Sequence, residues 1–346
     1  MKERMYNIDC MRVILMLFIV IHHCIVSGLD LNTIMNSGAC NLSAKNGLLI
    51  FMNCIVIVGV NIFFLISGYF NINFRLKKLF CLVGEIIFYS GLIYLIGMLS
   101  GIVRFSLYEF VKYTLFAVNQ YWFMLVYLVL MLLSPYINIL LSELNKDKKR
   151  YSLFLAVFFF LCCLYGFIFE SDVLGINSGY SLLFAIFLYC TGNYIKVFEK
   201  EKNEKTYYIF IYIISIILNY ILIISLVYIN KSVWGWKMFS YNNPLIYIEA
   251  IMLFMLFVKF YKQNKIAKVL SKISPYVLAV YLISSNEFLI PYRFAYLKEI
   301  LEGSKLFIWP LAIIGASIVI LAICVIIECI RKKLVSGLIL IVRRRT

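Results

Sequence analysis

Charged residues are scarce in this 346-residue chain: Asp, Glu, Lys and Arg together make up 14%, whereas 64% of the residues are hydrophobic. A soluble domain would have to bury most of those apolar side chains in one core, but a bilayer accepts them on the outward faces of spanning helices. The composition therefore excludes a cytosolic enzyme and predicts a membrane protein.

Histidine is scarcer still, because the chain has only two, the adjacent His22 and His23. The sequence contains no Gly-x-Ser-x-Gly elbow, no Walker loop and no metal-ligand spacing, so no metal or permanently bound cofactor is expected. Nearly all of the ten cysteines lie within or beside apolar segments, which is not the pattern of a disulfide framework. Any histidine chemistry must therefore occur at one place in the chain.

Long apolar runs are what the sequence has in abundance. Runs of roughly 17 to 25 residues suffice to cross a bilayer. Ten of them are found, at 7–27, 47–70, 79–101, 120–141, 151–168, 179–197, 207–229, 244–261, 274–292 and 306–330. The pattern predicts an all-α polytopic bundle forming a single membrane domain over residues 1–346, with a short basic tail at 331–346. An amphipathic stretch at 102–118 is expected to lie along the outer interface.

The basic residues predict the orientation of this bundle. With the N-terminus inside, 24 Lys and Arg residues lie in the cytoplasmic segments and eight in the outer ones, which fits the retention of basic residues in the cytoplasm. Both termini are therefore predicted to be cytoplasmic. The formal net charge of +16 is explained by this topology, so no nucleic-acid partner is expected.

Arg12, His22 and His23 are ionisable groups in a predicted membrane segment, where a charged group costs about 2.5 kcal/mol or more. Arg12 and His23 are eleven residues apart, close to three helical turns, so they share one face and stand roughly 16 Å apart. Asp9 can pair with Arg12 from three residues before it. We expect His23 to be a base for a substrate on the outer side, with His22 as a substrate contact. The alternative is that both histidines only hydrogen-bond to neighbouring helices.

A polar and basic cluster ends the second predicted helix. Arg and Lys beside exposed amides suit the phosphates of a cytoplasmic nucleotide-containing donor. The candidate donor-binding residues are Ser67, Gly68, Tyr69, Arg75 and Lys78, with Asn71, Asn73 and Lys77 between them. The alternative is that these cations only set the topology, since every predicted inner loop is basic.

Two further helices carry candidate acceptor-binding residues. Tyr121 and Trp122 open the fourth helix and would form a platform for a sugar ring, or else an interfacial aromatic belt. The ninth helix, 274–292, carries a polar strip of substrate candidates made of Tyr281, Ser284 and Asn286, followed by Glu287. A rise of 1.5 Å per residue from the inner end of each helix places Glu287 near the depth of His23, where its carboxylate would orient the imidazole. The alternative is that the carboxylate extends to the outer interface.

The segment Asp9-Cys10-Met11-Arg12, with its apolar run to His23, resembles the opening helix of the acyltransferase type 3 family of bacterial membrane O-acyltransferases. Further matches keep the family's order over nearly the whole chain. They are Phe63-Phe64-Leu65-Ile66-Ser67-Gly68-Tyr69, then Tyr121-Trp122-Phe123 with Ser134-Pro135, and Ser274-Pro275 with Tyr281-Leu282-Ile283. The ten-helix layout with both ends inside also agrees with the family.

The resemblance implies transfer of an acyl group, commonly acetyl, from cytoplasmic acyl-CoA to a hydroxyl of a cell-surface polysaccharide or lipid-linked sugar. It implies a place in the bacterial cytoplasmic membrane, with acyl-CoA and the saccharide as partners within the lipid bilayer. His23 would correspond to the family's essential histidine and Arg12 to its partner arginine. The chain departs from the family at Ser284, where many members carry a histidine, and at Lys77-Lys78, where a second arginine is frequent.

Two other functions are compatible with the same residues. A glycan or lipid flippase also uses intramembrane Arg and His and an aromatic-lined path, but the chain has no internal repeat of the kind found in many transporters. A catalytically silent homologue is the other alternative, and the serine at position 284 is the feature that favours it.

Overall fold

The computed structural model describes residues 5–38, 42–115, 120–169, 172–199, 205–261 and 264–345. Within these ranges every regular element is helical. Some basic residues used for the topology prediction lie outside them, namely Lys2, Arg4, Lys200, Lys202 and Lys262, as do residues 116–118 of the predicted amphipathic stretch. The all-α class predicted from the sequence is confirmed.

Eighteen α-helices follow one another along the described parts of the chain. They are α1 (Tyr6–His23), α2 (Leu31–Asn36), α3 (Ala44–Val56), α4 (Gly59–Phe70), α5 (Leu76–Leu99), α6 (Leu107–Phe110), α7 (Trp122–Leu144), α8 (Lys148–Phe159), α9 (Gly166–Ile168), α10 (Leu182–Phe198), α11 (Lys205–Tyr228), α12 (Ser232–Lys237), α13 (Pro244–Phe260), α14 (Lys265–Ile273), α15 (Val277–Ser284), α16 (Ile290–Arg293), α17 (Ala295–Leu301) and α18 (Ile308–Arg345). Turns of π-helix extend α1, α6 and α8, at Cys24–Gly28, Val111–Leu115 and Phe160–Tyr165.

Eight of the ten predicted spans are long and apolar enough to cross a bilayer in the described chain. They are Tyr6–Gly28, Ala44–Phe70, Leu76–Leu99, Trp122–Leu144, Lys148–Ile168, Lys205–Tyr228, Lys265–Ser284 and Ile308–Gly337. The other two predicted spans correspond to the 17-residue helices α10 and α13. At 1.5 Å per residue each of these is about 25 Å long, slightly less than the hydrocarbon thickness.

Polar caps explain where several helices begin. The Ser43 hydroxyl accepts a hydrogen bond from the backbone of Asn46 at the start of α3 (3.2 Å). Asn243 caps α13 in the same way (2.9 Å), and Pro244 occupies the first helical position. Such caps satisfy backbone N–H groups that the first helical turn leaves unpaired, which is costly in a membrane.

The second predicted helix, 47–70, is broken in the structure. A turn at Ile57-Val58 separates α3 from α4, and α4 begins at Gly59. A Cβ at Gly59 would lie 3.2 Å from the Leu15 carbonyl oxygen, so the absence of a side chain lets α4 approach the backbone of α1. This close approach brings the helix that carries Ser67 against the helix that carries Arg12.

The ninth predicted helix has different limits from those expected. The span runs from Lys265 to Ser284, with a 3₁₀ turn at Ser274–Tyr276 between α14 and α15, and the chain turns at Ser285. The expected start at 274 and end at 292 were therefore wrong. Pro275 lacks a backbone N–H, which the first turn of a helix does not need, so the sequence at Ser274-Pro275 fits the start of a helix. The structure instead has a 3₁₀ turn there, inside a span that begins nine residues earlier at Lys265.

Helices α4 and α10 pack at backbone distance. A Cβ at Gly68 would stand 1.8 Å from the Tyr189 carbonyl oxygen, and one at Gly192 would stand 2.1 Å from the Leu65 carbonyl oxygen. Small residues commonly allow membrane helices to pack at backbone distance. Gly68 and Gly192 form such a reciprocal pair.

A buried ion cluster joins α5 to α18. Arg331 contacts Glu328 through Nε (2.6 Å) and Nη2 (2.6 Å) and reaches Glu85 at 3.3 Å, while the Tyr89 hydroxyl donates to Glu328. Lys332 donates to the Pro275 carbonyl (2.9 Å), which ties α18 to the turn before α15. The helix α18 continues to Arg345, so the segment predicted as a basic tail is helical where it is described.

Helix α1 is the central element of the fold. It contacts α3, α4, α13, α14, α15 and α18, and most of its residues are buried. The outward faces of α5, α11 and α18 carry exposed apolar side chains such as Leu95, Phe210 and Leu311, which suits a lipid environment. The structure thus places the helix with Arg12 and both histidines inside the bundle.

Candidate active site

One face of α1 lines a series of neighbouring cavities. Arg12, Met16, Ile19 and His23 contribute to this lining, and their spacing of four, three and four residues is that of a single helical face. The prediction that Arg12 and His23 share one inward face is therefore confirmed. We name the two ends of the bundle by these residues, the Arg12 end and the His23 end.

At the Arg12 end the series begins with a cavity of about 600 Å³, which we call the basic vestibule. Arg12, Lys77 and Lys78 supply its positive charge, and Asn71 and Asn73 supply amide groups. The loop between α4 and α5 and the start of α5 form its wall. A concave site with three cations and two amides is suited to a phosphorylated ligand.

Hydrogen bonds from neighbouring helices hold the loop that forms this wall. Asn71 has a positive φ of 52°, and its side-chain oxygen accepts from Asn193 (2.9 Å). The Ile72 backbone donates to the Tyr189 hydroxyl (2.8 Å) and accepts from the Asn138 side chain (3.1 Å). The Tyr189 hydroxyl also donates to Asn138 (2.8 Å). The loop is thus positioned by α7 and α10 rather than by its own residues.

Arg12 lies where the basic vestibule meets the next cavity. Its Nη1 is 2.9 Å from Asp9 Oδ1, as the sequence predicted, and its side chain is 36% exposed. The Ser274 hydroxyl donates to the same Asp9 oxygen at 3.3 Å. This second contact fixes the carboxylate that holds the guanidinium, and it links the turn at Ser274-Pro275 to the site.

The second cavity, of about 380 Å³, is the inner cavity. It shares Arg12, Ser67 and Tyr127 with the basic vestibule, and the remaining wall is largely apolar. Met16, Ile19, Phe63, Phe123, Leu278 and Tyr281 belong to this apolar wall. The Ser67 hydroxyl donates to the Phe63 carbonyl (2.9 Å), which leaves its oxygen able to accept one further hydrogen bond.

A small cavity of about 20 Å³, the histidine cavity, follows the inner cavity. His22 and His23 line it together with Trp122 and Tyr241, while Ile19, Phe123 and Tyr281 are shared with the inner cavity. Its volume suits about one water molecule. The histidines therefore stand at a constriction between larger spaces.

His22 has a fixed orientation. Its Nδ1 is 2.7 Å from the side-chain oxygen of Asn53 on α3, and Asn53 is completely buried. This hydrogen bond between the His22 ring and the Asn53 amide fixes the plane of the imidazole. The ring centroids of His22 and His23 are 5.8 Å apart.

Beyond the histidine cavity, at the His23 end, lies a fourth space of about 310 Å³, which we call the aromatic pocket. His22 and Ile57 line both spaces. Apart from Val26, the other residues come from the segments 178–180 and 233–240, with Tyr180, Trp236 and Phe239 as the large side chains. The histidine cavity, which both histidines line, thus lies between the inner cavity and the aromatic pocket, and His22 also lines the aromatic pocket.

Several predicted donor-site residues do not face these cavities. Gly68 packs against the Tyr189 backbone, so the structure gives it a packing role. Tyr69 contacts Phe254, with ring centroids 5.5 Å apart, and Arg75 is exposed. Of the predicted set, Ser67 and Lys78 line the basic vestibule.

The predicted acceptor residues also separate into two groups. Trp122 and Tyr281 line the histidine cavity. Tyr121 and Asn286 are both buried, and the Asn286 side-chain amide donates to the Tyr121 hydroxyl (2.9 Å). That hydroxyl donates in turn to the Leu282 carbonyl (2.8 Å), so the two residues hold the turn after α15. Ser284 is buried and lines none of the cavities just described.

Glu287 is exposed in the short turn Glu287–Leu289. The helix ends at Ser284 and the chain turns before Glu287, so the depth expected for Glu287 from a helix over 274–292 does not apply. The orientation of the His23 imidazole by this carboxylate stays a prediction.

Sequence reasoning missed Asn53, Tyr127 and the residues of the aromatic pocket other than His22. Asn53 is one amide in an apolar helix, and its distance of 31 residues from His22 leaves no local pattern. A buried polar residue in a predicted span was the only available signal, and such residues are often functional.

A comparison with protein-family models finds one described as an acyltransferase domain, which matches residues 5–329. No curated protein and no solved structure matches the chain.

Proposed function

The chain belongs to the acyltransferase family that it matches over nearly its whole length, and from this premise we propose O-acyl transfer across the membrane. The donor is a cytoplasmic acyl-CoA, in particular acetyl-CoA, and the acceptor is a hydroxyl of a cell-surface polysaccharide or lipid-linked sugar. The observation that carries this proposal is the series of cavities that leads from Arg12, Lys77 and Lys78 to the two histidines.

The basic vestibule is the proposed site of the donor's nucleotide end. Phosphate groups carry the negative charge that Arg12, Lys77 and Lys78 would neutralise, and the amides of Asn71 and Asn73 supply further hydrogen bonds. The inner cavity then takes the uncharged arm that ends in the thioester, because its wall is mainly apolar. The thioester is thereby directed toward His23.

His23 is the proposed general base. The acceptor oxygen bonds to the thioester carbonyl carbon, the C–S bond breaks, and the hydroxyl proton passes to the imidazole. The imidazole then returns this proton to the departing thiolate, so the products are an O-ester and the free thiol of CoA. A positioned base commonly contributes about 10²–10⁴-fold to such a step.

Arg12 acts on the donor in this scheme and does not touch the reacting carbonyl. Three helical turns place it roughly 16 Å along the axis from His23, which is too far for a direct contact with atoms at the imidazole. Its position between the basic vestibule and the inner cavity suits a phosphate or an amide of the donor. The Asp9 and Ser274 contacts hold it there.

The narrow histidine cavity supports a small acyl group. With about 20 Å³ of space, it admits an acetyl group only after the surrounding side chains move, and a longer chain would need a larger opening. Phe123 and Tyr281, which line both the inner cavity and the histidine cavity, are the side chains placed to make this movement. We place the protein in the bacterial cytoplasmic membrane with both termini and the basic vestibule on the cytoplasmic side.

The test uses purified protein in lipid nanodiscs with acetyl-CoA, and measures CoA release and ester formation on added saccharides. We expect His23→Ala to lower kcat by about 10²–10⁴-fold without changing the donor Kd, because the base is lost and the basic vestibule is intact. Lys146→Ala, an exposed change on another surface, is the control. Normal turnover by His23→Ala would remove this mechanism, and absence of turnover by the wild type would favour a silent homologue or a flippase.

A further inference from the structure

The aromatic pocket is the largest described space near the histidines that the donor route does not use. It lies beyond the histidine cavity from the basic vestibule and shares His22 with that cavity. We propose that it binds one pyranose ring of the saccharide acceptor and presents a ring hydroxyl to the histidines. This inference rests on the proposed function and names the substrate contacts of the same site.

The chemistry of the lining favours a polyhydroxylated ring over a lipid tail. Tyr180, Trp236 and Phe239 provide flat apolar surfaces for the C–H faces of a sugar ring. Ser178 and Ser240, together with His22, provide hydrogen-bonding groups for its hydroxyls. A pocket of about 310 Å³ with an apolar wall and a few convergent polar groups is typical of small-ligand sites.

The polar and aromatic groups of the pocket are held in place by residues outside it. The Trp236 indole donates to the Asn32 side chain, which sets the orientation of its ring. The Tyr180 ring packs on Trp122 and Tyr241, at centroid distances of 4.5 and 4.9 Å. A preorganised surface of this kind lowers the entropy cost of binding.

The wall that carries Ser178 has an unusual backbone. Asn177 and Ser178 both have positive φ values, 43° and 54°, which non-glycine residues seldom adopt. The Tyr241 backbone donates to the Ser178 carbonyl (3.0 Å) and holds this conformation. Backbone strain of this kind is concentrated at ligand sites.

Lys237 belongs to the wall of the pocket. Its ammonium donates to the Ile168 carbonyl (3.1 Å) and lies 4.4 Å from the centre of the Trp234 ring. These contacts position the Lys237 side chain in the wall of the pocket. The ring is bound by stacking on the aromatic side chains and by hydrogen bonds.

The test obstructs the entrance of the aromatic pocket with a larger side chain at its exposed rim. Val233 lines the pocket and is 75% exposed, so Val233→Trp adds an indole at the entrance without disturbing the core. Val173→Trp, at a valine that is 91% exposed, is the matched control. The nanodiscs are prepared without glycoside detergents, since their sugar heads would compete. Methyl glucoside, galactoside, mannoside and N-acetylglucosaminide are the soluble probes, and a polyprenyl-linked monosaccharide is the lipid-linked one.

We expect wild type and Val173→Trp to release CoA faster when a suitable pyranoside is added. Val233→Trp should raise the acceptor KM at least tenfold relative to Val173→Trp. Stimulation of CoA release by the soluble pyranosides supports the pocket and indicates a free saccharide as acceptor. Stimulation by the polyprenyl-linked monosaccharide alone also supports the pocket and indicates a lipid-linked acceptor. An acceptor KM in Val233→Trp equal to that of Val173→Trp would overturn the proposal.

A binding measurement separates this inference from the reaction itself. Saturation-transfer NMR is recorded on the same pyranosides with wild type, Val233→Trp and Val173→Trp. Binding that Val233→Trp abolishes supports the pocket even if no thioester is turned over, in which case only the proposed function fails. If none of the pyranosides binds to the wild type, the pocket proposal fails while thioester turnover can still stand.

Discussion

The two ends of the cavity series differ in the chemistry of their walls. The basic vestibule carries Arg12, Lys77 and Lys78, whereas rings and hydroxyls such as Tyr180, Trp236 and Ser240 dominate the aromatic pocket. The difference indicates that each end serves a different ligand, a phosphorylated one at the basic vestibule and a ring that stacks on aromatic side chains at the aromatic pocket. Between them the histidine cavity limits passage, so the two ligands approach His22 and His23 from opposite sides.

The supports of the two ends also differ. The basic vestibule is positioned by a loop whose backbone is held by Asn138 and Tyr189. The aromatic pocket is held by ring packing and by the Asn53 contact to His22. Substitutions at one end should therefore change the kinetics of one ligand and leave those of the other ligand unchanged.

The largest effect at the Arg12 end is expected for Arg12→Ala. A charge-assisted hydrogen bond is worth about 1.5–3 kcal/mol, so the donor KM should rise about 10- to 100-fold with the acceptor KM unchanged. Steady-state kinetics with acetyl-CoA and a pyranoside measure both constants. The double variant Asp9→Asn/Arg12→Ala removes the carboxylate that Arg12 contacts. If this second change restored the donor KM, the role of Arg12 would be limited to balancing Asp9.

A smaller effect is expected for Lys77→Ala/Lys78→Ala. Both lysines are exposed, so salt screens their interaction with the donor and we expect a rise of about tenfold in the donor KM at low ionic strength. The rise should shrink as salt is added. Lys146→Ala/Lys149→Ala removes the same charge from an exposed surface outside the cavities and is the control. An equal rise in that control would mean that net charge, rather than the basic vestibule, attracts the donor.

The smallest effects come from a matched pair of amides, Asn53→Ala and Asn138→Ala. Asn53→Ala removes one positioning hydrogen bond and Asn138→Ala removes two, each worth about 1 kcal/mol, which corresponds to about fivefold in a kinetic constant. Asn53→Ala should raise the acceptor KM and leave the donor KM unchanged, because Asn53 orients His22. Asn138→Ala should do the reverse, because Asn138 holds Ile72. Two variants with the same kinetic pattern would contradict the separation of the two ends.

The parts of the site that sequence predicted well depend on short-range geometry. The Asp9–Arg12 pair and the shared face of Arg12 and His23 follow from helical periodicity within one segment. Arg75 and Glu287 were less predictable, because each lies at the boundary of a helix. An error of a few residues in a boundary rotates a side chain out of a cavity, and hydropathy gives such boundaries only approximately.

Composition and hydropathy by themselves determined that this chain forms a bundle of membrane helices, the first of which bears Arg12 and the histidines. They suffice because a bilayer admits only helices with satisfied backbones at those lengths. The tertiary structure alone decided which groups meet: Asn53 with His22, Gly68 with the Tyr189 backbone, and residues 178–180 with 233–240 around one pocket. Such contacts join residues far apart in the chain, and their partners are selected by helix packing, which no local pattern encodes.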